Sequence, residues 1–262
     1  MTQAKTIISM LLILSLTVFA CSDDDDDNGN GGLDPGEFPL DGLMNENVSF
    51  LIMSVEEWDG EFDAYLSMII VENHQTVTLQ IDGNNVSLSS FGRYYFADLD
   101  LLPGQSFTYA LQVDGNTRSG SLSIPSVIQA NFPDDFDLSS NYTMSWTTSA
   151  DPTGFIAFLQ IELDDDWIDN GMLLAGNTRN HTFNRNIYSG LSEDDIWYID
   201  VGVLGMNYEI KDDFVIMAGF DAYEEYYFGN GFGFRQAEKQ VAGERPRGRF
   251  PAALRHLAVP VE

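Results

Sequence analysis

From Asn47 onward the apolar positions fall in short runs or in strict alternation, never at the 3.6-residue spacing of a helix. Residues 50–55, 65–71, 77–81, 86–91 and 94–99 are rich in β-branched and aromatic side chains, which predicts strands. Asp82-Gly83-Asn84-Asn85 lies between two of these runs and reads as a hairpin turn. Phe107, Tyr109, Leu111 and Val113 then alternate with smaller or polar residues, so one face of that strand is buried. Asp114-Gly115-Asn116 turns the chain into residues 119–124, and Pro125 closes the stretch. Strands at this spacing, with turn signals between them, predict an all-β sandwich.

The second half repeats the scheme. Ile199, Val201 and Val203 alternate as Tyr109, Leu111 and Val113 do, and the spacing from Leu191 to Trp197 matches that from Leu101 to Phe107. Residues 142–147 and 155–163 correspond to 65–70 and 77–81, and both later segments contain Leu-Gln-Ile. Residues 214–220 supply a last strand. Leu101-Leu102-Pro103-Gly104-Gln105-Ser106-Phe107 resembles the Leu-x-Pro-Gly-x-x-Tyr pattern of fibronectin type III domains, with Phe107 at the tyrosine position. The resemblance implies two tandem immunoglobulin-like or fibronectin type III-like sandwiches, at 46–125 and 126–230. One larger sandwich is the rival architecture.

Ahead of the strands the pattern changes. Lys5 is followed by an uncharged apolar run over residues 7–20, too short for a bilayer span of about 20 residues but of the right length for a secretory signal core. The run ends at Val18-Phe19-Ala20-Cys21, which resembles the lipobox of bacterial lipoproteins. The resemblance implies that residues 1–20 are removed and that Cys21 carries the lipid; the bland alternative is an ordinary signal peptide beside a chance cysteine. Ser22 and the run Asp23, Asp24, Asp25, Asp26, Asp27 follow directly. An acidic run so placed resembles the export signal of surface lipoproteins in one group of Gram-negative bacteria, and it also suits a solvated spacer. Residues 21–45 are thus expected to form a flexible acidic tether. The implied location is the bacterial outer membrane, lipid-anchored and facing outward.

The formal charge of −29 excludes nucleic acid as a partner. With Cys21 assigned to lipid, no disulfide, thiol nucleophile or cysteine-based zinc site remains. Six of the 12 Lys and Arg residues (Arg235, Lys239, Arg245, Arg247, Arg249, Arg255) lie in a tail, residues 231–262, that lacks periodic apolar positions. The tail is expected to be disordered and dispensable for folding.

Candidate chemistry is sparse. His74, His181 and His256 form no metal-binding spacing, and no Gly-x-Ser-x-Gly elbow occurs. Two acidic loops each hold a tryptophan, Trp58 within 56–61 and Trp167 within 164–171. Asp164, Asp166 and Asp169 are candidate Ca²⁺ ligands, because hard oxygen donors at close spacing suit that ion. Trp58 and Trp167 are candidates for stacking on a sugar ring, against the blander reading of a solvated hairpin whose tryptophan covers a sandwich edge. Trp146 and Trp197 lie within alternating apolar runs and are expected in the core. Tyr223, Tyr226 and Tyr227 form a candidate ligand patch, half of which must face outward if the segment is a strand. The sequence points first to a non-enzymatic, lipid-anchored module that binds a glycan or a protein, with no cofactor beyond the candidate Ca²⁺. An accessory subunit of an outer-membrane uptake or secretion complex comes second, and a carboxylate-dependent hydrolase last.

Overall fold

A computed structural model of the chain describes residues 49–58, 60–71, 74–163, 167–211 and 214–228. The all-β architecture read from the sequence is what these residues form. The first half contributes β1 (Ser49–Trp58), β2 (Glu61–Ile69), β3 (Val77–Ile81), β4 (Asn84–Asn85), β5 (Ser89–Phe91), β6 (Tyr94–Leu99), β7 (Ser106–Val113) and β8 (Asn116–Ser123). The second contributes β9 (Ile128–Asn131), β10 (Tyr142–Thr148), β11 (Gly154–Leu163), β12 (Trp167–Ala175), β13 (Asn180–Phe183), β14 (Ile196–Lys211) and β15 (Phe214–Tyr227). Two short 3-10 turns, Arg185–Tyr188 and Glu193–Asp195, lie before β14.

Each half builds the same two layers. In the first, β1-β2-β6-β5 faces β4-β3-β7-β8; in the second, β13-β10-β9 faces β12-β11-β14-β15. The correspondences read from the sequence hold in the topology. β7 and β14 occupy equivalent places, as do β2 and β10, and β3 and β11. This is the strand order of a fibronectin type III-like sandwich, present twice.

The halves meet in the chain around Pro125, between β8 and β9, but they are joined in space. β1 pairs in parallel with β15, from Ser49 opposite Phe214 to Glu56 opposite Asp221. That pairing joins one layer of each half into an eight-stranded sheet, β12-β11-β14-β15-β1-β2-β6-β5. The inner face of this sheet packs on both smaller sheets through one core, which includes Leu51, Met53, Leu111, Trp146, Phe155 and Ile216. The expected tandem sandwiches therefore share a sheet and a core. Polar contacts reinforce the junction: Tyr109 donates to Glu209, which also pairs with Lys211 at 2.9 Å, and Asn207 Nδ2 donates to the Ser123 carbonyl at 2.8 Å.

Local chemistry explains the hairpins. Asp82-Gly83 and Asp114-Gly115 all have positive φ, between 47° and 83°, the geometry of the two-residue turn that matches strand twist. Glycine takes the second place without strain, and each aspartate uses its carboxylate to hold a neighbouring strand. Asp82 accepts from Thr108 N at 2.7 Å, and Asp114 from Gln75 N and Thr76 N at 2.9 and 2.8 Å. Those backbone donors hold the Asp114 carboxyl below the usual aspartate range.

The outer face of the large sheet is also apolar. Phe50, Ile52, Ile69, Ile156, Phe158, Leu204, Met206 and Met217 form a second buried cluster, and every member belongs to the eight-stranded sheet itself. Gly202 makes room for it: a Cβ there would meet Phe158 Cζ at 2.5 Å and the Ala222 carbonyl at 2.6 Å.

Candidate functional site

One end of the eight-stranded sheet carries an exposed aromatic group. Register places Trp167, Glu162, Tyr198 and Tyr227 side by side on β12, β11, β14 and β15, hence on one face. β12 and β14 are two strand spacings apart, about 10 Å. The Trp167 and Tyr198 rings nevertheless meet edge-to-face with centroids 5.9 Å apart, so they lean together across the intervening position. Tyr198 continues to Tyr227, centroids 6.0 Å apart and tilted by 33°. Tyr227 donates to Glu225 Oε2 at 2.6 Å. Trp167 and Tyr227 are 45% and 54% exposed.

Trp197 stands beside this row and is 61% exposed, which corrects its expected place in the core. The reason is a bulge. Glu162 pairs with Tyr198 but Leu163 pairs with Ile196, so Trp197 is the extra residue on β14 and the inward alternation skips it. The sequence held the signal, because Ile196 and Ile199 are both inward yet three residues apart. Trp146 lies in the core as expected, packed on Phe155 with centroids 5.4 Å apart.

Acidic side chains neighbour the aromatics, with Glu162 between Trp167 and Tyr198 in the register and Glu225 bonded to Tyr227. Glu193, Asp194 and Asp195 form the short turn leading into Trp197, and Asp195 caps it by accepting from Ser192 N at 2.9 Å and Ser192 Oγ at 2.7 Å. These bonds hold the Asp195 carboxyl below the usual range. The site therefore offers the exposed rings of Trp167, Trp197 and Tyr227 as separate stacking surfaces, and carboxylates able to accept hydrogen bonds from hydroxyls.

The other predicted residues are distributed as follows. Tyr226 points inward: it is buried, shares a 2.8 Å hydrogen bond with Tyr142, and donates to the Pro133 carbonyl. Burial pushes its hydroxyl up to about 12. Tyr226 therefore belongs to the core aromatic group of Phe136, Tyr142 and Tyr188, a correction set by strand alternation about Tyr227. Tyr223 is half-buried on the outer face, opposite Gly202. Trp58 closes β1 opposite Glu61 in the β1–β2 hairpin, and its side chain lies outside the described residues.

Asp164 and Asp166 lie outside the described residues, as do Cys21, Ser22 and Asp23 to Asp27. Asp169 sits within β12, not in a loop, and accepts from Gln160 Nε2 at 2.8 Å. Among the described residues no three His, Cys, Asp or Glu side chains converge as a metal site. Nor is any described helix long and apolar enough to cross a membrane.

No protein-family model matches the chain, and no curated protein matches it significantly. Among solved structures it is similar to the fibronectin(III)-like modules of Clostridium thermocellum CbhA, at 9% identity and a TM-score of 0.22, over 68% of this chain and 90% of that one. A superposition that loose adds nothing to the strand order, which carries the fold assignment here.

Proposed function

We propose that this protein is a lipid-anchored, surface-exposed binding module without enzymatic activity, whose ligand is a glycan. The observation that carries the reading is the exposed aromatic row Trp167–Tyr198–Tyr227, with Trp197 and carboxylates beside it. Sugar rings present C–H faces to aromatic planes and hydroxyls to carboxylates, and this end of the sheet supplies both partners. Placement supports the reading. β1 and β15 run in the same direction, so the chain enters the sheet at Ser49, the end opposite Tyr227. A tether attached before Ser49 leaves the aromatic end pointing away from its attachment.

Anchoring rests on the sequence. The apolar run ending at Ala20-Cys21 supports lipid attachment at Cys21, and the run from Asp23 to Asp27 supports export to the outer face of the outer membrane. A lipoprotein's acyl chains hold permanently where a single chain binds only marginally. The secondary reading is a structural subunit of an envelope complex, and the second apolar cluster on the outer sheet face is the feature that favours it.

The test is titration of the full chain against a panel of polysaccharides, with tryptophan fluorescence as the readout. A binder should quench or shift the emission, and Trp167→Ala with Trp197→Ala, titrated by calorimetry because it lacks the reporting rings, should remove at least tenfold of its affinity while the fold is retained. Base–aromatic stacking of about 1–3 kcal/mol per ring sets the scale for one lost platform. Full affinity in the double variant would overturn the site, and no binding across the panel would overturn the ligand class. Cys21→Ala should separately release the protein from the membrane fraction.

A further inference from the structure

No other described strand pairs with the far side of β12, so the eight-stranded sheet ends there in a row of backbone N–H and C=O groups. The other sheet edges are blunted. β4, β5, β9 and β13 are only two to four residues long, and β8 lies over β14 and β15 with its Ser123 carbonyl held by Asn207. β12 instead runs nine residues in unbroken register with β11, from Trp167 opposite Glu162 to Ala175 opposite Gly154. Its two halves differ. Trp167, Asp169 and Asn170 guard the first, whereas Gly171, Met172, Leu173, Leu174 and Ala175 carry neither a charge nor a hydrogen-bonding side chain. All five are half-buried, Leu173 against the outer cluster and Leu174 against the shared core. The 3-10 turn Arg185–Tyr188 also approaches β12, but it directs Tyr188 at Phe136 in the core and so sits on the inner face.

We propose that the Gly171–Ala175 half of β12 is a pairing edge for a second copy of this chain, joined antiparallel about a twofold axis at Leu173. An axis normal to the sheet keeps each face on its own side, so every residue must meet one of the same parity. Leu173 then meets Leu173, Met172 meets Leu174, and Gly171 meets Ala175. The Leu173 pair continues the outer cluster across the axis, and the Met172–Leu174 pairs lie on the side of the shared core. Charge selects the same arrangement. Each chain carries −29, so two copies can touch only where acids are absent, and Gly171–Ala175 is such a stretch. The two Asp169 residues then stand about 27 Å apart along the strands, well beyond the Debye length of about 8 Å. Each also accepts from Gln160 on β11, which draws its carboxylate away from the edge. A charged partner strand would find no countercharge among these five residues. Head-to-tail growth is blocked as well, because the opposite edge of the sheet is the three-residue β5. The contact therefore closes at two copies. With so few residues a side it is a small interface, and the dimer forms at high concentration.

The experiment uses the full chain with Cys21→Ser, so that an introduced thiol is the only one. Leu173→Cys in that background should form a disulfide-linked dimer on mild oxidation. Opposite Cα atoms of an antiparallel pair lie about 4.5–5.5 Å apart, which is within disulfide reach. Asp169→Cys lies on the same strand but far from its twin, and it should cross-link at least tenfold more slowly. Sedimentation of the Cys21→Ser chain should show a monomer–dimer equilibrium that shifts with concentration. The β12 amides that point away from β11 should gain hydrogen-exchange protection as the dimer forms. Leu173→Lys should abolish both effects while the monomer keeps its fold. Should that variant fail to fold, the ratio of cross-linking at positions 173 and 169 decides the matter alone. Equal cross-linking at the two positions overturns the proposal, as does a chain that stays monomeric up to its solubility limit. So does a dimer that persists in Leu173→Lys, because another surface would then hold it.

Discussion

The two halves share a strand order but not a burial pattern. In the first half, β7 alternates between buried and exposed positions, as a strand with one wet face must. In the second, the equivalent of β3 is β11, and it is buried on both faces from Gly154 to Ile161. The difference comes from which layer each half places in the joint sheet. The first half gives β1-β2-β6-β5 and keeps the layer holding β3 and β7 as a separate sheet with a solvated back. The second half gives β12-β11-β14-β15, whose outer face adds a core of its own. The same topology thus has a solvated back in one half and carries the second core and the exposed aromatic row in the other.

The comparison breaks most sharply if the halves unfold separately. Phe155→Ala should cost about 3–5 kcal/mol and Leu111→Ala about 2–5 kcal/mol, because both side chains are fully buried in the one shared core. Each should lower a single thermal transition of the whole molecule. Two calorimetric transitions, with Leu111→Ala moving only one, would show that the shared sheet does not couple the halves.

A smaller effect distinguishes the halves by their buried tyrosines. Tyr142→Phe removes a hydroxyl paired with Tyr226 inside the second half, at a cost of about 1–3 kcal/mol. The same pair predicts alkaline sensitivity. The Tyr226 hydroxyl is raised to about 12, above the ordinary value of about 10, so folding favours its neutral form. Its stabilising contribution is complete below pH ~10 and is lost as pH rises toward ~12. Unfolding monitored between those values should be shallower in Tyr226→Phe. An unchanged slope would place the sensitivity elsewhere.

Smaller again is Tyr109→Phe, which removes the bond to Glu209 across the junction and should cost about 1–2 kcal/mol. Lys211 remains beside Glu209, so the carboxylate is not abandoned. Chemical denaturation should show a lower midpoint with the slope preserved. The smallest effect concerns cations: with a net charge of −29, millimolar Ca²⁺ and Mg²⁺ should raise the melting temperature alike. A gain specific to Ca²⁺ and absent in Asp169→Asn would instead establish the site considered around β12.

Much of the fold was legible because its signals are local. Alternation marked β7 and β10, and Asp-Gly pairs marked two hairpins. The matched runs in the two halves led to the repeated topology. The parallel seam was not legible, since pairing Ser49 with Phe214 requires contact between strands some 165 residues apart and leaves no local pattern. The β12 strand read as an acidic loop because Trp167, Asp169 and Asn170 sit at a sheet edge, where polar residues guard against further pairing. At the candidate site, Trp167 and Tyr227 were legible as exposed aromatics, whereas Trp197 and Tyr226 exchanged their expected places. A bulge moved the first outward, and ordinary strand alternation turned the second inward.

The parallel pairing of β1 with β15 has a mechanical consequence. A pull through the chain before Ser49, resisted by a load on the chain after Tyr227, draws these neighbouring strands along their axes in opposite directions. The eight residue pairs from Ser49–Phe214 to Glu56–Asp221 are then loaded in shear and must yield together, whereas a hairpin pulled from its open end unzips one rung at a time. Forced unfolding is governed by the height of that barrier, not by equilibrium stability. Under tension applied at these two points the seam is therefore the clamp of the molecule.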